Sequence, residues 1–282
     1  LQTYFGDIRD CYEQVAGLDI DAVGLDFVEG KQSLSLVKEY GFPKDKLLLA
    51  GVVNGKNIWR NHYSRTLALL ADLKKTGARI GIGTSCSLLH VPYTVAQETK
   101  LPEYALKHFS FAEEKLQELR DLSFLFSLEN AEPEKIYQVN DALFQSDRIG
   151  KNAAVQAEVF ALKPDDFTRF PSFEEREKLQ KTRFRLPLFP TTTIGSFPQT
   201  AEVRSNRAAF RKNLISGEQY RQFNFDRIKE CISLQEKIGL DVLVHGEFER
   251  NDMVEYFGEH LQGFLFTEKA WVQSYGTRCV KP

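Results

Sequence analysis

Leu186-Pro187-Leu188-Phe189-Pro190-Thr191-Thr192-Thr193-Ile194-Gly195-Ser196-Phe197-Pro198 is the stretch on which the reading of this chain turns. It follows a run, 174–185, dense in Glu, Lys and Arg, that reads as an exposed helix. Three threonines and Ile194 are all β-branched and favour a strand. Gly195-Ser196 ends that strand, and Pro198, with no N–H to donate, keeps it from resuming. A strand stopped at Gly-Ser leaves backbone N–H groups and a hydroxyl at its C-terminal mouth. Parallel α/β folds assemble their chemistry at such mouths.

Working outward, 203–215 and 225–238 read as helices, the second closed by Gly239. Residues 240–244 read as a buried strand delivering His245-Gly246-Glu247-Phe248-Glu249-Arg250. A surface helix over 251–261 follows, then a third strand, 271–274, ending at Tyr275-Gly276-Thr277-Arg278-Cys279. Toward the N-terminus, strands are expected at 2–5, 22–27, 47–53 and 79–83. The run at 47–53 is nearly continuous in apolar residues, as a strand covered on both faces should be. Amphipathic or helical segments are expected at 8–15, 33–40, 63–75, 106–126 and 134–146, with stops at Gly41-Phe42-Pro43 and Asn54-Gly55. Strand–helix alternation with short links predicts a parallel α/β architecture. The strands before the boundary are too few to close an eight-stranded barrel.

The best boundary lies in 165–185, punctuated by Pro164, Pro171 and Pro187. It divides the chain into 1–185 and 186–282. Lys178, Lys181, Arg183 and Arg185 make this helix basic, but Glu174, Glu175 and Glu177 interleave them. A solvated interdomain helix is therefore favoured over an anion contact.

Across 282 residues, hydrophobic residues are 42% and charged residues 27%, the balance of a soluble globular protein. Lys and Arg number 37 against 39 Asp and Glu, so neither nucleic acid nor an anionic membrane is implied as a partner. Nothing reads as a signal peptide or a membrane span, which makes cytoplasm the default location. Cys11, Cys86, Cys231 and Cys279 are too far apart for a disulfide framework or a metal knuckle, and read as free buried thiols. Cys86 and His90 share a helical spacing, but no second pair accompanies them, so packing is favoured over metal ligation.

Three constellations carry chemistry. Ile194-Gly195-Ser196 offers close backbone approach, N–H donors and a hydroxyl, which suit a carboxylate; an ordinary βα turn would look the same. Glu247, between His245 and Arg250 at a strand mouth, suits an ammonium; the alternative is a salt bridge to Arg250 or Arg204. Arg278 can fork onto a carboxylate or a ring carbonyl, beside Cys279.

The wording from Pro190 to Thr200, with His245 to Gly263 and Trp271 to Pro282, resembles the cobalamin-independent methionine synthase family. The Thr84-to-His90 segment is similar to that family's N-terminal barrel. The resemblance implies two (β/α)8 TIM-type barrels, each only partly present: 1–185 as the second half of the N-terminal barrel plus linker, 186–282 as the first part of the catalytic barrel. It implies homocysteine binding by Ile194, Gly195, Ser196 and Glu247, and folate binding by Arg278 and Cys279. The role of His245 stays open. The implied reaction is methyl transfer from a 5-methyltetrahydrofolate polyglutamate to homocysteine by a monomeric zinc enzyme. The implied zinc ligands follow Pro282, so neither a catalytic residue nor a metal ligand is expected within this chain. The alternative is a non-catalytic fragment with packing surfaces and weak ligand binding.

Overall fold

A computed structural model describes residues 1–128, 135–145, 152–273 and 279–280. The chain divides into two units, one of residues 1–151 with 263–282 and one of residues 152–262.

The first unit is built on three parallel strands, β1 (Ala22–Asp26), β2 (Leu47–Val53) and β3 (Arg79–Thr84), in that order. Ala22 pairs with Leu47 and Leu47 with Arg79, so β2 is central, which explains its unbroken Leu-Leu-Leu-Ala-Gly-Val-Val. The short helix α1 (Tyr12–Ala16) precedes β1, and α2 (Ser33–Tyr40) and α3 (Tyr63–Lys74) are the crossovers. Val23, Leu25, Leu36, Val37, Leu48, Leu70 and Leu73 form the core between sheet and helices. Leu48, Leu70 and Leu73 are wholly enclosed, each worth about 1.5–3 kcal/mol of burial. Gly51 is required by close packing, because a Cβ there would lie 2.9 Å from Ser85 Cα. The α/β alternation read from the sequence is thus observed, as an open parallel sheet among the described residues.

The acidic mouth of β1 is consumed by its own loop. Asp26, 1% exposed, accepts the N–H groups of Phe5, Val28 and Glu29 at 3.1, 2.7 and 2.9 Å. Residues 2–5 contribute only an isolated bridge, Gln2 to Gly24, rather than the expected strand. The helix expected over 106–126 is interrupted. One turn, α4 (Glu103–Leu106), ends, and α5 (Ala112–Ser127) starts afresh with Phe111 N–H donating to the Glu114 carboxylate at 3.0 Å. Between them Phe109 bridges Trp59 in antiparallel fashion, and pairing across that crossing outcompetes local helix propensity. The unit also contains α6 (Lys135–Gln145) and a short antiparallel pair, β4 (Val272–Gln273) and β5 (Cys279–Val280). The third strand therefore lies in an antiparallel pair and not in the parallel sheet.

The second unit contains α7 (Ala153–Ala161), α8 (Phe173–Phe184), α9 (Ala201–Arg211), α10 (Gly217–Ile238) and α11 (Met253–His260). Helix α10 begins eight residues before the expected start (225 − 217), because Ser216 and Gln219 form a capping box. Gly239, at φ +85°, closes it in the left-handed conformation. Val203, Cys231 and Phe248 are the buried centre, with Phe197, Phe223 and Ile228 packed against them.

Neither 190–194 nor 240–244 forms a regular strand, contrary to expectation. They lie side by side, but side chains take bonds that a ladder would make. Thr191 N–H and Oγ1 both donate to Asp241 Oδ2, at 2.7 and 2.8 Å, and Thr192 Oγ1 donates to Val242 O at 3.0 Å. Thr and Asp are the residues that offer a backbone this alternative.

Candidate functional site

The site in the second unit is assembled where these two segments end. Asp241 and Val242 N–H groups both donate to Thr191 O, at 3.1 and 3.0 Å, which fixes the segments' register. The Thr191 N–H and hydroxyl hold the Asp241 carboxyl below its usual range. Behind them Gln235, wholly buried on α10, takes the place of a neighbouring strand. Its Oε1 accepts Val244 N–H at 2.9 Å, and its Nε2 donates to Val244 O at 2.7 Å. At the mouth, Phe197 N–H donates to Gly246 O at 2.9 Å, and Ser196 and Gly246 form a parallel bridge.

Two consecutive residues then turn left-handed, Gly246 at φ +90° and Glu247 at φ +60°. A Cβ on Gly246 would lie 2.5 Å from Phe248 Cε2, so only glycine fits. The turn brings the Glu247 carboxylate over Gly195: Oε1 lies 2.9 Å from where a Gly195 Cβ would be, and Gly195 itself sits at φ +118°. Glycine at 195 is required by both conformation and space.

Arg250 Nη2 forms an ion pair with Glu247 Oε1, and this bond raises the arginine's pKa. The salt-bridge partner considered for Glu247 in the sequence is therefore present, while the carboxylate still faces Gly195. The Glu247 and Arg250 side chains are 25% and 16% exposed, so the pair is accessible but not freely solvated. His245 Nδ1 accepts the Glu247 N–H at 2.9 Å. That bond requires Nδ1 to be unprotonated, so the neutral ring carries its proton on Nε2. Glu249 Oε2, 3.9 Å from Nδ1, is then a distant neighbour and not a hydrogen-bond partner.

The structure thus brings Ile194, Gly195 and Ser196 together with Glu247. Ile194 is 94% exposed, so its side chain contributes nothing to the core. Arg278 lies outside the described residues. Cys279 is in β5 of the first unit. Cys86 and Cys231 are buried and free, and burial pushes both thiols up; Cys11 is free but exposed, contrary to expectation. Among the described residues no three His, Cys, Asp or Glu side chains converge to hold a metal. These residues do not fit a zinc site by themselves. No helix among the described residues is long and apolar enough to cross a membrane.

A cavity of about 670 Å³ lies beside the site, bounded by α9, α10 and α11 and lined by Arg207, Tyr220, Glu249, Arg250, Asp252 and His260, among others. Arg250 is common to the cavity wall and the Glu247 pair. In the first unit a separate cavity of about 530 Å³ is walled by aromatic residues including Trp59, Tyr104, Phe109 and Phe264.

Two family models match the chain. Residues 189–282 match the cobalamin-independent synthase catalytic domain, and residues 1–78 match its N-terminal domain. The 5-methyltetrahydropteroyltriglutamate–homocysteine methyltransferase of Campylobacter jejuni strain RM1221 is 58% identical over all 282 residues. The enzyme of the same name from Lactococcus lactis subsp. cremoris strain SK11 is 57% identical over the same span. The chain belongs to the cobalamin-independent synthase family.

It spans 37% of the length of both relatives. Ile194, Gly195, Ser196, Glu247, Arg278 and Cys279 all fall within the segment matching the cobalamin-independent synthase catalytic domain. Sequence reasoning missed Gln199, Arg207 and Gln235, which build the site from behind. The available signal for Gln235 was an amide four residues after Cys231, on the helix face that packs inward. Its partner, the backbone of Val244, leaves no trace in sequence.

Proposed function

We propose that the full protein transfers a methyl group from a 5-methyltetrahydrofolate polyglutamate to homocysteine, giving methionine without cobalamin. This chain supplies the amino-acid cradle. The observation that carries the reading is the meeting of Gly195 and Glu247, with the Glu247 carboxylate 2.9 Å from the Gly195 Cβ position. The Gly195-Ser196 backbone and the Ser196 hydroxyl bind the homocysteine carboxylate, and Glu247 binds its ammonium. Arg278 and Cys279 contribute to the folate wall. The names of the curated relatives support both substrates.

The parallel sheet of the first unit and the strand-like mouths of the second are read as parts of two (β/α)8 barrels, with the boundary between the barrels along the sequence near residues 185–186. Zinc, held by residues other than those described here, would when bound favour the deprotonated form of the homocysteine thiol. The enzyme works in the cytoplasm as a monomer, without nucleic-acid or membrane partners.

Substituting Glu247→Gln in the protein at its full natural length tests the cradle. Hydrogen bonds to charged groups contribute about 1.5–3 kcal/mol, so homocysteine affinity should fall by about one to two powers of ten. Methyltetrahydrofolate affinity should change far less. Equal loss for both substrates would show that Glu247 only holds the fold together.

A further inference from the structure

The loop that carries Glu247 is held by a buried cation. Arg207, on α9, is 8% exposed, and no carboxylate pairs with it among the described residues. Its Nη2 donates to three oxygens: Gln199 Oε1 at 2.6 Å, Phe248 O at 3.0 Å and Arg250 O at 3.0 Å. Gln199 in turn donates from Nε2 to Glu247 O at 3.2 Å, while its own carbonyl accepts from Arg204 Nη1 at 2.8 Å. Gln199 follows the Ile194-Gly195-Ser196 segment in the chain. One guanidinium therefore ties the segment bearing the first half of the cradle to the loop bearing the second.

A non-glycine residue at positive φ persists only where its surroundings over-determine it. Glu247 is such a residue, and Gly246 before it is left-handed too. The Arg207–Gln199 pair meets the loop at the carbonyls of 247, 248 and 250, three points that fix its path. Burying a charge among neutral oxygens is costly. The bonds gained for that cost fall on the loop around Glu247.

We propose that Arg207 is a positioning residue that, with Gln199, holds the 247–250 loop so that the Glu247 carboxylate faces Gly195 and receives the substrate ammonium. The proposal rests on the reading of Glu247 given above.

Two ligands separate positioning from general support: L-homocysteine, and 4-mercaptobutyrate, which is homocysteine without its amino group. Dissociation constants for both would be measured by calorimetry on the protein at its full natural length. Glu247→Gln alone tests the underlying reading: L-homocysteine should bind at least tenfold more weakly and 4-mercaptobutyrate equally well. If L-homocysteine binding is unchanged, the role of Glu247 fails, and Arg207 has no carboxylate to position. Given that selective loss, Arg207→Lys should reproduce it, and Arg207→Lys combined with Glu247→Gln should be no weaker than Glu247→Gln alone. Arg207→Lys weakening both ligands alike, leaving both unchanged, or adding in full to Glu247→Gln would overturn the proposal. Should Arg207→Lys not fold, Gln199→Met carries the same expectations, because it breaks the link at Glu247 O while leaving the cation in place.

Discussion

Glu247 Oε1 lies 2.9 Å from the position a Cβ on Gly195 would occupy, so the two halves of the cradle exclude any side chain between them. The contact joins residues 52 positions apart (247 − 195) that no helix or strand connects directly.

Gly195→Ala should therefore act on the site and on the fold together. The added methyl must push Glu247 away, and φ +118° is a conformation that alanine rarely adopts. Such backbone strain costs about 1–3 kcal/mol. Thermal unfolding should show a lowered midpoint, and homocysteine affinity should fall at least as far as in Glu247→Gln. Unchanged homocysteine binding would mean that the cradle lies elsewhere.

Gln235→Leu should destabilise the second unit without touching ligand. The substitution leaves Val244 N–H and C=O without the amide that satisfies both. An unsatisfied buried polar group costs about 1–3 kcal/mol. Urea denaturation should show an earlier transition with an unchanged slope. A midpoint equal to that of the unsubstituted chain would show that water replaces the amide at no cost.

Asp241 should titrate below its ordinary value of 3.8, because the Thr191 N–H and hydroxyl favour its charged form. The sign follows from linkage: a depressed folded pKa contributes stability above the unfolded value, and that contribution is lost as pH falls through the folded value. Carbon NMR of the Asp241 carboxyl, with the Thr191 amide shift as reporter, would follow it. A midpoint at or above 3.8 contradicts the Thr191 contact, and Asp241→Asn should abolish the Thr191 response.

Gly51→Ala should weaken the first unit. A Cβ at 51 would meet Ser85 Cα at 2.9 Å and the carbonyl oxygens of Leu25 and Thr84 at 3.0 Å, all backbone atoms that cannot rotate away. Overpacking of this kind costs about 1–3 kcal/mol. Tyr12, Trp59 and Tyr63 belong to this unit and are optical reporters of its unfolding. An unchanged transition would show that β2 and β3 can separate freely.

The sequence by itself determined the elements whose causes are local. The apolar run at 47–53 could only be a doubly covered strand, and 33–40 and 63–75 carried helical spacing with clear stops; β2, α2 and α3 follow those bounds almost to the residue. It also drew attention to Gly195, Ser196 and Glu247, although an ordinary turn and a salt bridge fitted those residues as well, and the resemblance to the family supplied their ligand roles. Local signals failed where a distant group supplied the hydrogen bonds. Residues 107–111 leave the helix to pair with 58–60, and 240–244 leaves the ladder because Gln235 and the Thr191–Asp241 contacts satisfy its backbone. Only the tertiary structure decided that Arg250 pairs with Glu247 and that Arg207 and Gln199 tie the loop down. The physical reason is that a backbone carbonyl has no identity in sequence. Any residue supplies one, and only the folded chain decides which carbonyls converge on a given arginine.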